Sequence, residues 1–319
     1  MNPIHPMPCF VLNNGHYIPS IGLGTWLAEK HLVGEAVLKA LHNGYRHIDC
    51  AACYGNEQEI GEEAFEPFFK EGKVLRSEVF ITTKLWVDSK EKQNVRVACE
   101  ESLKKLHLDY VDLYLIHYPT SIKKGKDFPL QKDDFIEVPI EETWREMEKL
   151  VEDGLVKSIG VSNFNVKQLE QLLKIAKIKP VVNQVEFGIY IQQPELHEFC
   201  RKEHIHTTAY SPLGNNGNPD RNKIESVFDN QIVKELSEKY KKTKAQIILR
   251  FVVQKGHSVL AKSVKEERIV ENCQICDWSI DDEDMKKLES LDKHVRTCHG
   301  VWFYGPQGLK EDEYWNLDH

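Results

Sequence analysis

Four residues able to move protons or carry charge stand at or just past the ends of short apolar runs. Asp49 closes the run at 47–49, Lys84 follows 79–83, His117 follows 111–116, and Tyr54 lies five positions beyond Asp49. A charge at the end of an apolar strand is costly to desolvate unless it is paired, so Asp49 and Lys84 are expected to pair. A phenol with a pKa near ~10 donates a proton poorly at neutral pH, and an ammonium beside it favours the phenolate, so Lys84 is expected to lower the pKa of Tyr54. Asp49 would hold the ammonium in place, and a neutral His117 would donate a hydrogen bond that orients a carbonyl. Such a set protonates an oxygen while something else attacks the carbon. No side chain can be that something else, so a hydride-donating cofactor is implied. Taken singly, the four read as a structural ion pair, a core histidine and a packing aromatic. Gathered at one end of a fold, they read as a site, because titratable groups clustered in a cleft are where shifted pKa values belong.

The elements that would gather them are legible as an alternation. Residues 9–12, an Asn13-Asn14-Gly15 turn and Tyr17-Ile18 read as a hairpin. Eight strand candidates follow, at 21–23, 47–49, 79–83, 111–116, 156–161, 181–185, 207–209 and 258–260. Between them run helical spacings such as Val33/Val37/Leu38/Leu41, Val95/Ala98/Leu103/Leu106, Trp144/Met147/Leu150/Val151 and Leu169/Leu172/Leu173/Ala176. Parallel strands need such crossovers, and eight β-α steps in this length predict a (β/α)₈ TIM barrel with an N-terminal β-hairpin across its base. An open doubly wound sheet is the rival. Its dinucleotide fingerprint is absent, because the early Gly22-Leu-Gly24 turn lacks the third glycine and the later acidic residue. In a barrel the chemistry lies at the C-terminal strand ends, where Asp49, Lys84, His117, Ser162-Asn163, Gln184, Tyr210-Ser211 and Lys262-Ser263 all fall.

At these residues the sequence closely resembles the aldo-keto reductases, of the aldose, aldehyde and xylose reductase kind, over nearly the whole chain. The run Gly44 to Ala51 (GYRHIDCA), with Glu57 and Ile60-Gly61, is similar to the family's first signature. Lys157 to Phe164 (KSIGVSNF) is similar to the second, and Leu260 to Ser263 (LAKS), with Arg268 and Glu271-Asn272, to the third. The resemblance implies the same barrel as one domain over 1–319, a C-terminal specificity tail from about 298, and a catalytic set of Asp49, Tyr54, Lys84 and His117 with Tyr54 as the acid. It implies that Ser162, Asn163 and Gln184 hold the nicotinamide carboxamide, that Tyr210 stacks on the ring, and that Ser211 to Leu213 follow the pyrophosphate. Gly24, Thr25 and Trp26 would border the cofactor, Lys262, Ser263 and Arg268 would grip an adenosine 2′-phosphate, and Glu271 and Asn272 would meet the adenine. NADPH is therefore expected rather than NADH. A lysine, a hydroxyl and an arginine beside a helix start also make physical sense as an anion site.

Trp26, Trp86, Tyr118, Phe128 and the tail residue Trp302 would line the substrate pocket. Ala261 stands where the family usually has proline, Lys265 adds a charge near the phosphate site, and Tyr118 stands where aldose reductases often carry tryptophan. The Asn-rich segment 214–229 and the tail with Trp302, Phe303, Tyr304 and Trp315 are least like the family. The expected function is NADPH-dependent reduction of an aldehyde, aldose or ketone to the alcohol. The alternatives are a non-enzymatic NADPH-binding or structural barrel and, among enzymes, a sugar-phosphate or hydroxysteroid reductase. A metal hydrolase on the same barrel, suggested by His204-Ile-His206, lacks a completing ligand set, so no metal is expected.

Composition sets the outer bounds. The 319 residues carry a net charge of −8 and are 41% hydrophobic, which argues against nucleic acid as a partner and allows a large core. No apolar run approaches a membrane span and the first residues do not read as a signal peptide, so a cytoplasmic protein with a small-molecule carbonyl substrate is expected. Its eight cysteines then read as reduced thiols, with Cys273 and Cys276 a structural pair. The charge runs Lys241-Lys242 and 281–284 read as solvated helix faces. A closed barrel has no free sheet edges, so a monomer is expected, with a dimer the alternative.

Overall fold

The computed structural model describes residues 8–29, 31–214 and 225–315. A short antiparallel hairpin, β1 (Cys9–Val11) and β2 (Tyr17–Pro19), turns over Asn13-Asn14-Gly15. Eight parallel strands follow: β3 (Ile21–Gly24), β4 (His47–Asp49), β5 (Phe80–Leu85), β6 (Leu113–Ile116), β7 (Ile159–Ser162), β8 (Val182–Glu186), β9 (His206–Tyr210) and β10 (Ser258–Ala261). Each pairs with the next, and β10 returns to β3, so the sheet closes into the expected barrel. Closure explains the unbroken burial of these strands: one face fills the interior and the other meets the helices.

All eight strands lie at the expected places, with shifted ends. β5 runs on through Lys84 to Leu85, and the start expected at 111 and 156 is a lone bridge between Val111 and Val156. The expected helical spacings fall within Val33–His42, Lys92–Leu106, Ile140–Glu152 and Val166–Ile175, except Ala176, which is the C-cap of the last. Most of these residues are buried against the sheet, with Leu38, Val151, Leu173 and Ala176 partly buried. A longer helical segment begins at Glu57–Ile60, passes through a π-helical Gly61–Phe65 and ends at Glu66–Lys70.

The hairpin does close the base. Leu12 and Ile18 are buried against Phe80, Leu113 and Val182 at strand starts, and Asn13 donates to the carbonyls of Pro180 and His204. At the other end, tail residues Phe303 and Trp315 pack with Tyr118, Val87 and Ile122 over the loops that follow β5 and β6. Among the described residues no helix is long and apolar enough to cross a membrane. The 281–284 run is a solvated face only in part: Asp281, Asp282 and Glu283 are exposed, with Asp281 capping helix Asp282–Glu289, but Asp284 is fully buried, where it accepts from Lys239, Tyr240 and Lys287. Three donors offset the desolvation of that carboxylate.

Candidate active site

The C-terminal mouth of the barrel opens into a cleft of about 1650 Å³. On its floor, adjacent strands β4 and β5 bring Asp49 and Lys84 together inside the barrel, and the Lys84 ammonium donates to Asp49 Oδ1. Lys84 is fully buried, and its remaining donors reach the Cys50 carbonyl at 2.8 Å and the Tyr54 hydroxyl at 3.2 Å. Tyr54 comes from the short 3₁₀ turn Ala52–Tyr54 that leaves β4, and His117 follows β6 directly, so their rings meet edge to face at 5.7 Å. The four residues singled out from the sequence therefore converge. Asp49, Tyr54 and His117 line the cleft, and Lys84 lies buried behind them.

The expected lowering of the Tyr54 pKa is overturned. Burial pushes the phenol well above its usual value, and Asp49 adds to the rise. The lysine charge does not offset this, because it is already balanced by Asp49 and shared with the Cys50 carbonyl. Tyr54 is thus a fully protonated phenol at neutral pH. His117 behaves as expected: burial and the nearby Lys84 charge hold it well below the usual histidine range, so the imidazole is neutral.

A second network spreads across the ends of β7, β8 and β9. Ser162 donates to the Gln184 carbonyl at 2.8 Å, Asn163 Nδ2 donates to the His117 carbonyl at 2.9 Å, and Tyr210 donates to Asn163 Oδ1 at 2.7 Å. Gln184 Nε2 donates to Asp49 Oδ2 at 2.8 Å, which joins this network to the Lys84 pair. Strand order alone did not reveal that link. Gly24, Thr25, Trp26, Ser211 and Leu213 border the same cleft, as do Lys262, Ser263, Arg268, Glu271 and Asn272 near helix Glu266–Cys273. Glu271 accepts from Thr243 at 2.7 Å, while Lys262 and Arg268 are exposed and form no ion pair among the described residues. Two uncompensated cations beside a buried Ser263, in a chain with a net charge of −8, fit an anionic group such as a phosphate.

The aromatic wall is also assembled. Trp86 meets His117 at 5.1 Å and Phe128 at 6.2 Å, Tyr118 stacks on His117 at 5.3 Å, and Trp302 reaches over from the tail to Phe128 at 6.3 Å. Trp26 lies 6.5 Å from Tyr54. The sequence reading missed Leu27, Cys53, Lys244 and Cys298, which also line the cleft. Adjacency to Tyr54 could have flagged Cys53, whereas Cys298 arrives only through the packing of the tail. Residues 215–224 of the segment marked as unusual lie outside the described residues. His206, at the start of β9, bonds Ser258 at the barrel base, away from this cleft. No group of three or more metal-ligating side chains occurs among the described residues.

Comparison with known proteins agrees with this geometry. A model of the Aldo/keto reductase family matches residues 20–293. Aldose reductase C of Dictyostelium discoideum is 46% identical over 306 residues, covering 93% of each chain. Estradiol 17 beta-dehydrogenase 5 of Mus musculus is 43% identical, covering 92% of this chain and 94% of the relative. The solved aldose reductase of Schistosoma japonicum superposes with a TM-score of 0.87 at 42% identity, over 94% of this chain and 97% of that one. With a barrel of matching topology and a family match over most of its length, the chain belongs to the aldo/keto reductase family of carbonyl reductases.

Proposed function

We propose that the protein is an NADPH-dependent reductase that converts an aldehyde, aldose or ketone to its alcohol, with Tyr54 as the proton donor. The observation that carries this reading is the Tyr54 hydroxyl in the cleft, 3.2 Å from the Lys84 ammonium and edge to face with His117. When bound, NADPH supplies a hydride to the carbonyl carbon. The chain's own residues do the rest. Tyr54 and neutral His117 present donors to the carbonyl oxygen, and the Tyr54 proton moves to that oxygen as alkoxide character develops. Lys84 then faces the phenolate and stabilises its charge, and Asp49 holds the lysine in place. Lys262, Ser263 and Arg268 would hold the 2′-phosphate, Glu271 and Asn272 the adenine, and Ser162, Asn163 and Gln184 the carboxamide. Gly24, Thr25, Trp26, Tyr210, Ser211 and Leu213 would border the remainder. The intact set at the floor speaks against a purely structural role.

Substrate enters between Trp26, Trp86, Tyr118, Phe128 and Trp302. An aromatic wall of this kind accepts apolar aldehydes and the nonpolar face of a sugar. NADPH oxidation across an aromatic aldehyde, xylose, a hexose 6-phosphate and a steroid ketone would rank these classes. Tyr54→Phe is expected to abolish reduction while NADPH still quenches tryptophan fluorescence with nearly unchanged Kd. Turnover by that variant at the wild-type rate would overturn the assignment. Joint replacement Lys262→Ala and Arg268→Ala should raise the Kd for NADPH by about tenfold or more while leaving NADH nearly unaffected, because only the former carries the 2′-phosphate. Equal losses for both cofactors would remove Lys262 and Arg268 from that role.

A further inference from the structure

The turn that delivers Tyr54 also delivers a thiol. Cys53 Sγ lies 3.4 Å from Nδ1 of His117, and among the described residues this is the hydrogen-bond contact of the imidazole ring. The ring's other surroundings are aromatic, with Trp86 at its edge and Tyr118 stacked on it. The backbone of His117 is tied down separately, its N–H donating to Leu85 and its carbonyl accepting from Asn163. Neither of those bonds distinguishes the two ring nitrogens.

We propose that Cys53 is a positioning residue that sets the tautomer of His117: its S–H donates to Nδ1, so that Nε2 carries the proton and offers it to the substrate oxygen. The inference rests on the reading of His117 as the group that orients the carbonyl. Its physical basis is the unequal worth of the two partners. A neutral imidazole has one N–H and one bare nitrogen, and the bare nitrogen is a strong acceptor. Thiol sulfur is a weak acceptor and its S–H a weak donor, so the pairing that engages the strong acceptor nitrogen, S–H···Nδ1, is the better one. Both groups are neutral under assay conditions: Cys53 keeps exposed surface at the cleft, but desolvation around its sulfur raises the thiol above its usual value, and burial holds the imidazole below its usual range. No proton transfer between them competes with the hydrogen bond.

The turn is stiff enough for the role. The Cys50 carbonyl before it is held by Lys84, and Asn56 after it donates to the Thr25 carbonyl at 3.0 Å. Thr25 in turn donates to the Asp49 carbonyl at 2.8 Å. One rigid turn thus presents the acid, Tyr54, and the group that orders the tautomer of its partner.

The test is a long-range ¹H–¹⁵N spectrum of the ¹⁵N-labelled full-length protein at neutral pH, with the His117 signals assigned by loss in His117→Gln. The expected wild-type pattern is a single neutral tautomer, bare at Nδ1 and protonated at Nε2. In Cys53→Ala the two His117 nitrogens should move towards the averaged positions of a tautomer mixture while the other histidines stay put. Cys53→Ser, which keeps a donor, should restore the wild-type pattern. Kinetically, Cys53→Ala should lower kcat by about threefold to tenfold with an unchanged Kd for NADPH, and serine should recover most of it. A wild-type His117 protonated at Nδ1, or His117 shifts indifferent to Cys53→Ala, would overturn the proposal. The spectrum needs no turnover, so a protein that reduces no carbonyl would defeat the reductase reading while the tautomer assignment is still read independently.

Discussion

Asp49 and Lys84 carry opposite charges into a barrel interior where neither would be tolerated alone. Each is almost completely buried, and each has further partners, Gln184 for the carboxylate and the Cys50 carbonyl for the ammonium. Removing one member leaves the other charge stranded, a loss of about 3–5 kcal/mol. Asp49→Asn and Lys84→Met are therefore each expected to lower the urea midpoint strongly. The double variant should regain part of that stability and remain inactive. If the double variant loses the sum of the single losses, the two residues do not act as a pair. Tyr54 makes a different prediction at the same scale. Because burial and Asp49 raise its pKa above the usual value near ~10, the acid stays protonated throughout the neutral and mildly alkaline range. The kcat/KM for reduction should then show no Tyr54-dependent fall up to about pH 9. An inflection between about pH 7 and 9 that vanishes in Tyr54→Phe would restore the lowered pKa first expected from the neighbouring lysine.

At the scale of elements, the first signature motif turns out to be partly architectural. Glu57 is buried, accepting from Thr83 at 2.5 Å and Ser102 at 3.0 Å, and it anchors the helical segment after β4 to β5 and to helix Lys92–Leu106. Gly61 opens the π-helical stretch where this segment crosses that helix, and a Cβ there would overlap the Lys105 carbonyl and the Leu106 backbone. Gly61→Ala must push two helices apart, and a loss of about 3 kcal/mol or more is expected. Thermal unfolding would measure it, and a variant as stable as wild type would show that the two helices can slide. Lys90 is a comparable device after β5. Fully buried, it donates to the carbonyls of Pro119 and Thr120 and so pins the loop that follows His117 and Tyr118. Thr120 then bonds Tyr314 at 2.7 Å, which ties that loop to the tail over the cleft.

Across the whole molecule, the two ends of the barrel differ in how they treat ionisable groups. The C-terminal end gathers Asp49, Tyr54, Lys84 and His117, and the base and its flank bury histidines. His47 and His257 have no exposed surface, and burial holds His47 at about 3 and His257 well below the usual range, with the Lys84 charge assisting the former. His206 is likewise held at about 3. In the unfolded chain each would titrate near ~6.5. Below that pH the unfolded state takes up protons that the folded state refuses, so this stability is complete above about 6.5 and drains as pH falls towards about 3. Each of these histidines is then expected to add at most one proton to the slope, so stability falls steadily as the pH is lowered from about 6.5 towards about 5. The midpoint of urea unfolding measured against pH would show the slope. His257→Phe, which packs against Phe187 and His197, should reduce it by one proton's worth. A slope unchanged in that variant would assign the acid sensitivity to other groups.

The eight-fold alternation, the hairpin and the Asp49, Tyr54, Lys84 and His117 set were legible in the sequence. Hydrophobic period marks which segments must be covered on both faces, and a charged residue at the end of such a segment marks where burial has to be offset. Local pattern could not give the sign of the Tyr54 shift, which depends on how far the Lys84 charge is already spent on Asp49 and on how much water the cleft excludes. Nor could it give the bond from Gln184 to Asp49, the contact of Cys53 with His117, or the burial of Asp284, since each joins segments brought together only by barrel closure or helix packing. The sequence by itself determined the periodicity of the elements and the kinds of groups available at their ends. The tertiary structure decided which of those groups are dry, which are paired, and therefore which way their protons lean, because desolvation and charge pairing are properties of a three-dimensional neighbourhood.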